Sequence, residues 1–108
     1  MLDLVPFTIA SGASVSSVAN ASNGLILGVY FPTMTSTTIT FAGSTSNNAA
    51  GMLLVSDGAG ASYSKIIAAA GNYLPLDATV FGGIPFLQIR GNTTEAAART
   101  LYLAVWRN

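Results

Sequence analysis

Proton transfer near neutral pH needs a histidine, a pair of carboxylates or a perturbed lysine. This chain offers only Asp3, Asp57, Asp77, Glu95 and Lys65 for that work, and no two of them are neighbours in sequence. Asp57 stands in Ser56-Asp57-Gly58, a tight-turn sequence, and Asp77 precedes Ala78-Thr79-Val80-Phe81, where a carboxylate can cap free amide groups. A turn and a cap each account for an acid without chemistry. A glycosidase-like reaction would need the fold to bring two carboxylates into one cleft. A serine nucleophile would lack its base, because the chain has no histidine. The lack of cysteine removes disulfides and thiol chemistry, and together with the lack of histidine it removes haem ligation and most transition-metal sites. Gly58-Ala59-Gly60 has neither the third glycine nor the following helix that a phosphate cradle requires. Asp57 alone in its loop cannot build a calcium shell. The expectation is a protein that is not an enzyme and holds no cofactor and no metal.

Charge narrows the partners. Lys and Arg number 4, Asp and Glu 4, so the net charge is +0 and only 7% of the 108 residues are charged. Ordinary soluble domains carry roughly a quarter. There is no basic footprint for nucleic acid and no polybasic segment for anionic lipid. The hydrophobic fraction of 51% is ample for a core. No uninterrupted apolar run approaches the ~18 residues of a membrane helix. The N-terminus has Asp3, no Lys or Arg, and Pro6 within its apolar stretch, which is unlike a signal peptide. These features predict one domain over residues 1–108, with residues 1–12 either inside it or forming an arm. They also predict synthesis in the cytoplasm without export by the usual route, and no association with nucleic acid or membrane.

Punctuation by Gly, Ser, Asn and Thr separates short apolar segments throughout, the pattern of an all-β protein. Seven or eight short strands are expected, in a single small antiparallel β-sandwich or jelly-roll-like domain. The last strand, Arg99 to Arg107, places Leu101, Leu103 and Val105 on one face and Thr100, Tyr102, Ala104 and Trp106 on the other, because strand side chains alternate. Pro85 to Arg90 is read as its hairpin partner, with Gly91 to Ala98 as the loop. Thr35 to Phe41 directs Ile39 and Phe41 inward, and Met52 to Val55 returns through Asp57-Gly58 as Ser62 to Ile67. Gly24 to Phe31 is apolar almost without interruption, which implies a strand covered on both sides. Phe7 to Ala10 and Ser14 to Val18 are weaker strands. Leu76 to Phe81 is either a short 3₁₀ turn capped by Asp77 or a polar corner.

Tyr102 and Trp106 are the candidate contact residues. Three readings remain open for them: cover by the N-terminal arm or a loop, a patch for a neighbouring subunit, or a stacking platform for sugar rings. Arg90, Arg99 and Arg107 bracket the same region and hold three of the four positive charges, either as ordinary strand-end charges or as ion-pair partners of an acidic surface. A chain with so little charge of either sign risks self-association unless its surface is covered, so assembly into a larger particle suits the composition.

From residue 71 onward a family pattern emerges. Gly71-Asn72-Tyr73-Leu74-Pro75-Leu76-Asp77, then Phe81-Gly82-Gly83, then Phe86 to Gly91, and finally Ala96-Ala97-Ala98-Arg99-Thr100-Leu101-Tyr102-Leu103 resemble small capsid-associated proteins of tailed bacteriophages. The likeness covers about the last forty residues, and the front half shares only the general character of short strands and turns, with a Ser-Asp-Gly turn. The loop between Arg90 and Arg99 is shorter than in that family and contains Glu95. The resemblance implies a non-enzymatic head decoration, or cement, protein on the capsid surface of a virion. Its partners would be the major capsid protein and further copies of itself, as a dimer or trimer. The alternative is a carbohydrate-binding or host-attachment module on a tail or fibre, with Trp106 and Tyr102 stacking on sugars.

Overall fold

The computed structural model describes residues 1–107. Alternating apolar residues draw the chain into strands β1 (Leu2–Ile9), β2 (Ala19–Asn20), β3 (Gly24–Phe31), β4 (Thr38–Ser44), β5 (Leu53–Leu54), β6 (Ser64–Ile66), β7 (Asn72–Pro75), β8 (Phe86–Gly91) and β9 (Arg99–Arg107). A single helical turn, α1 (Ala78–Phe81), lies between β7 and β8. One antiparallel sheet has the order β1-β9-β3-β7 and the other β2-β8-β4-β5, with β6 also on β4.

β5 and β6 lie one after the other along the same edge of β4. Leu53 and Leu54 face Gly43 and Ala42, and Ser64, Lys65 and Ile66 face Thr40, Ile39 and Thr38. They form one edge strand interrupted by an excursion over residues 55–63. Counted that way the described residues form eight strands in two sheets. Every connection except that from β4 to β5 crosses between the sheets, which is the strand order of a jelly roll. The expected all-β sandwich is what this sequence forms.

The core lies between the sheets. Phe7, Ile9, Ile26, Val29, Phe31, Leu101, Leu103 and Val105 project from one sheet and Ile39, Phe41, Leu87 and Ile89 from the other, all of them buried. Phe41, Phe81 and Tyr63 meet edge to face, with ring centroids 5.0 to 5.8 Å apart, the arrangement that ring quadrupoles favour. Tyr63 thereby ties the end of the 55–63 excursion to the core. Asp77 caps α1, its Oδ1 accepting from the Thr79 amide at 2.9 Å and the Thr79 hydroxyl at 2.8 Å, as in the capped-turn reading. These bonds to Thr79, helped by the charge of Lys65, hold the Asp77 carboxyl below its ordinary pKa.

Local pattern misled in four places. Pro85 to Arg90 is not the hairpin partner of β9. β8 pairs with β2 and β4 in one sheet while β9 lies between β1 and β3 in the other, and residues 92–98 form a crossing between sheets. Both segments have the alternation of a strand, and alternation says nothing about which strand is the neighbour. Ser62 to Ile67 is not an antiparallel return of the preceding strand; Ser56 and Ser62 form an isolated bridge at the neck of the excursion, beyond which both arms follow β4. Ser14 to Val18 contributes only the bridge of Val15 to Arg90. Finally, β3 is covered on one side only. Residues 2–9 of the segment considered as an arm are paired with β9 along their whole length.

Leu103 has no exposed surface, so an aspartate there would place an unpaired charge between the sheets. Leu103→Asp is expected to cost more than about 4 kcal/mol, a large part of a small domain's stability. Circular dichroism should then show no cooperative melt.

Candidate functional site

Strand alternation and register define the outer face of the β1-β9-β3-β7 sheet. Leu2, Trp106 and Leu25 form one row across the strands, and Leu4, Ala104, Gly28 and Pro75 form the next. Pro6, Tyr102, Tyr30 and Tyr73 form the third, and Thr8 and Thr100 complete the face. No residue in these rows is charged. Trp106 is 50% exposed, Tyr30 44%, Tyr102 43% and Tyr73 40%, with Leu2, Leu4 and Leu25 also open to solvent. Ala104 points the same way but is buried beneath its bulky neighbours.

A β-bulge between Ile26 and Gly28 resets β3 so that Ile26 and Val29 both point inward while Gly28 and Tyr30 point out. Glycine is required at position 28. A Cβ there would overlap the Tyr73 ring and lie 2.6 Å from the Leu74 carbonyl oxygen. The Tyr73 ring therefore sits over Gly28 of β3, with its centroid 4.5 Å from that of Tyr30 and the planes tilted by 44°. Partial burial, and then the nearby Tyr30, raise the pKa of the Tyr73 hydroxyl.

Tyr102 and Trp106 thus share one open face; the N-terminal strand lies beside them in the sheet, and residues 82–85 only border the cavity beside Trp106. Sequence reasoning missed Leu2, Leu4, Leu25, Tyr30 and Tyr73 as their companions. The continuous apolarity of Gly24 to Phe31 was the available signal, since a strand apolar on both sides belongs to a sheet with two apolar faces.

The three arginines lie elsewhere. Arg107 and Arg99 sit at the two ends of β9 in the inward register, so they serve the ends of the sandwich. The Nε of Arg107 donates to Asp3 Oδ2 at 2.8 Å, and its other nitrogens donate to the carbonyl oxygens of Asn20 and Ser22. Arg90 is on the other sheet, where Nε and Nη2 donate to Gln88 Oε1 at 3.3 Å.

Glu95 is the partner of Arg99, whose Nε donates to Glu95 Oε1 at 3.0 Å. This carboxylate is only 1% exposed. It also accepts from the amides of Thr35 at 2.7 Å and Ser36 at 2.9 Å. The backbone of Glu95 exchanges bonds with the first crossing loop, its carbonyl accepting from Gly12 and its amide donating to Ala13, both at 2.8 Å. One residue thereby joins the 10–18, 32–37 and 92–98 crossings. Burial raises the pKa of Glu95, but the two amides and the Arg99 guanidinium outweigh it and hold the carboxyl at about 2.

The other acids are similarly engaged. Asp57 Oδ1 accepts from the amides of Ala59 at 2.7 Å and Ala61 at 3.2 Å, closing the tip of the excursion. A cleft of about 550 Å³ runs between this loop and α1, lined by Asp57, Val55, Thr79, Val80, Ile84 and their neighbours. Glu95 is not part of it. Among the described residues there is no group of three or more His, Cys, Asp or Glu side chains that could hold a metal, and no helix is long and apolar enough to cross a membrane. No protein-family model, curated protein or solved structure matches the chain.

Because the folded pKa of Glu95 lies below the ordinary 4.5, its contribution to stability is complete above about pH 4.5 and is lost as the pH falls towards 2. The urea midpoint is expected to fall across that interval. Glu95→Ala should cost about 3 kcal/mol at neutral pH, since it strands two amides and a guanidinium. The gap between variant and wild type should close as the pH approaches 2.

Proposed function

We propose that this chain is a structural, non-enzymatic component of a tailed-phage virion, decorating the outside of the capsid and reinforcing subunit junctions. The observation that carries the reading is the uncharged aromatic face of Tyr102, Trp106, Tyr30 and Tyr73 on a rigid jelly roll. A monomer that stays in solution rarely leaves so much contiguous apolar surface bare, and such a face fits a life inside an assembly. The order of the C-terminal elements supports the phage context. The acids are engaged in a turn, a helix cap and two ion pairs, one of them with a buried carboxylate, which fits an architectural use of charge.

A decoration protein acts by adding buried area at joints that have already formed. A stiff sandwich suits this, because docking orders few groups that were free beforehand, and repetition over a symmetric shell multiplies a modest affinity. The partner in this reading is the major capsid protein. Copy number per purified particle tests the role. Quantitative mass spectrometry should find the chain in amounts comparable to the shell subunits, and particles stripped of it should rupture at lower temperature. A handful of copies per particle would assign the chain to a tail or fibre instead.

A further inference from the structure

We infer that the outer face of the β1-β9-β3-β7 sheet is closed in solution by the same face of a second copy of this chain, related by a two-fold axis. The inference goes beyond the decoration role and does not depend on the identity of the particle.

The first argument is area. The four aromatics, each 40–50% exposed, present about 350 Å² from side chains of 150–250 Å². Leu2, Leu4, Leu25, Pro6 and Pro75 extend the same surface, towards the ~800 Å² per partner of a stable interface. The second argument is charge. In a two-fold contact the same patch lies on both sides, so a face that carries charge of one sign opposes itself. This face carries none, whereas a face made for a different protein surface gains specificity from complementary charges. The third argument is the strand itself. β3 has the composition of a strand covered on both sides, and the chain alone covers one. A second sheet laid on it restores the sheet-on-sheet packing of the interior.

Other modes of association fit less well. Strand addition at β1 is obstructed. Thr8 already exchanges bonds with Ser17, its carbonyl accepting from the Ser17 amide at 2.8 Å and its amide donating to Ser17 Oγ at 3.0 Å. Pro6, two residues earlier, has no amide hydrogen. The β7 edge ends in Pro75. A sugar platform calls for coplanar rings with hydrogen-bonding side chains beside them. The Tyr30 and Tyr73 rings are instead tilted by 44°, and the face offers only phenol and threonine hydroxyls and the Trp106 indole N–H, with no carboxylate or amide side chain.

Trp106 is the only tryptophan in the chain, so its fluorescence reports on this face alone. Analytical ultracentrifugation of the full chain should show the 11.0 kDa monomer giving way to a dimer as concentration rises. The Trp106 emission maximum should move to the blue with the same midpoint, a readout that needs no variant. Tyr102→Lys and Tyr30→Lys alter exposed positions, and folding is checked by their melting curves. Each substitution enters the contact twice, so the dissociation constant should rise by about a hundredfold or more. Ile66→Lys, on the edge of the other sheet, should leave the dimer intact. A wild-type monomer at every concentration overturns the inference, including one that coats phage shells through this face. So does a dimer whose Trp106 emission stays unchanged, or one that survives Tyr102→Lys. A dimer that ignores phage shells upholds the inference and removes the decoration role.

Discussion

A carboxylate taken out of water must be met by donors, and the arrangement of this molecule follows from how Glu95 is met. Two backbone amides and a guanidinium converge on it, and they belong to the β3–β4 crossing and the start of β9. A jelly roll has the difficulty that nearly all its connections span the gap between sheets, so its loops cannot be short hairpins that hold their own shape. Here one buried charge fixes three of those crossings at one end. Arg107 does the corresponding work at the other end, binding Asp3 and the carbonyl oxygens of the β2–β3 connection.

The placement of these two arginines also explains the character of the sheet. Both lie in the inward register of β9, with the alternate positions left to Thr100, Tyr102, Ala104 and Trp106. Four of the chain's eight charged residues are drawn into ion pairs at the ends of the sandwich. The outer face of the first sheet is consequently free of charge because of where strand alternation sends it, and the scarcity of charge in the sequence becomes a property of one surface. An uncharged face supplies no colloidal repulsion and gains free energy whenever it is covered.

Much of this was legible in the residues. The faces of β9 followed from Leu101, Leu103 and Val105 alternating with Tyr102 and Trp106, the cap at Asp77 from a carboxylate before a short helical sequence, and the turn at Asp57 from the glycine behind it. What could not be read was pairing. β8 and β9 are neighbours in sequence and each alternates correctly, yet they lie in opposite sheets, because the decisive contacts of β9 are with residues 2–9 and 24–30. Long-range pairing is set by the fit of whole faces, and a local window holds only one side of that fit. Glu95 was invisible for the same reason. Nothing in Asn92-Thr93-Thr94-Glu95 indicates that amides of residues 35 and 36 will arrive beside it. The tyrosine row was half visible: Tyr102 was identified from its strand, and Tyr30 and Tyr73 joined it only when the register placed them side by side.

The interrupted edge strand has a consequence of another kind. Residues 55–63 leave the ladder of β4 after one arm and rejoin it at the next, with Ser56 and Ser62 bridged at the neck and Tyr63 held in the aromatic cluster. Gly58 and Gly60 at the tip have positive φ and no atom within 4 Å of where a side chain would begin. Past Asp57 the tip therefore has open space around it on the side away from α1. The scaffold can accept a foreign peptide at that point, held at both ends and turned outward, as a graft for presenting epitopes or tags.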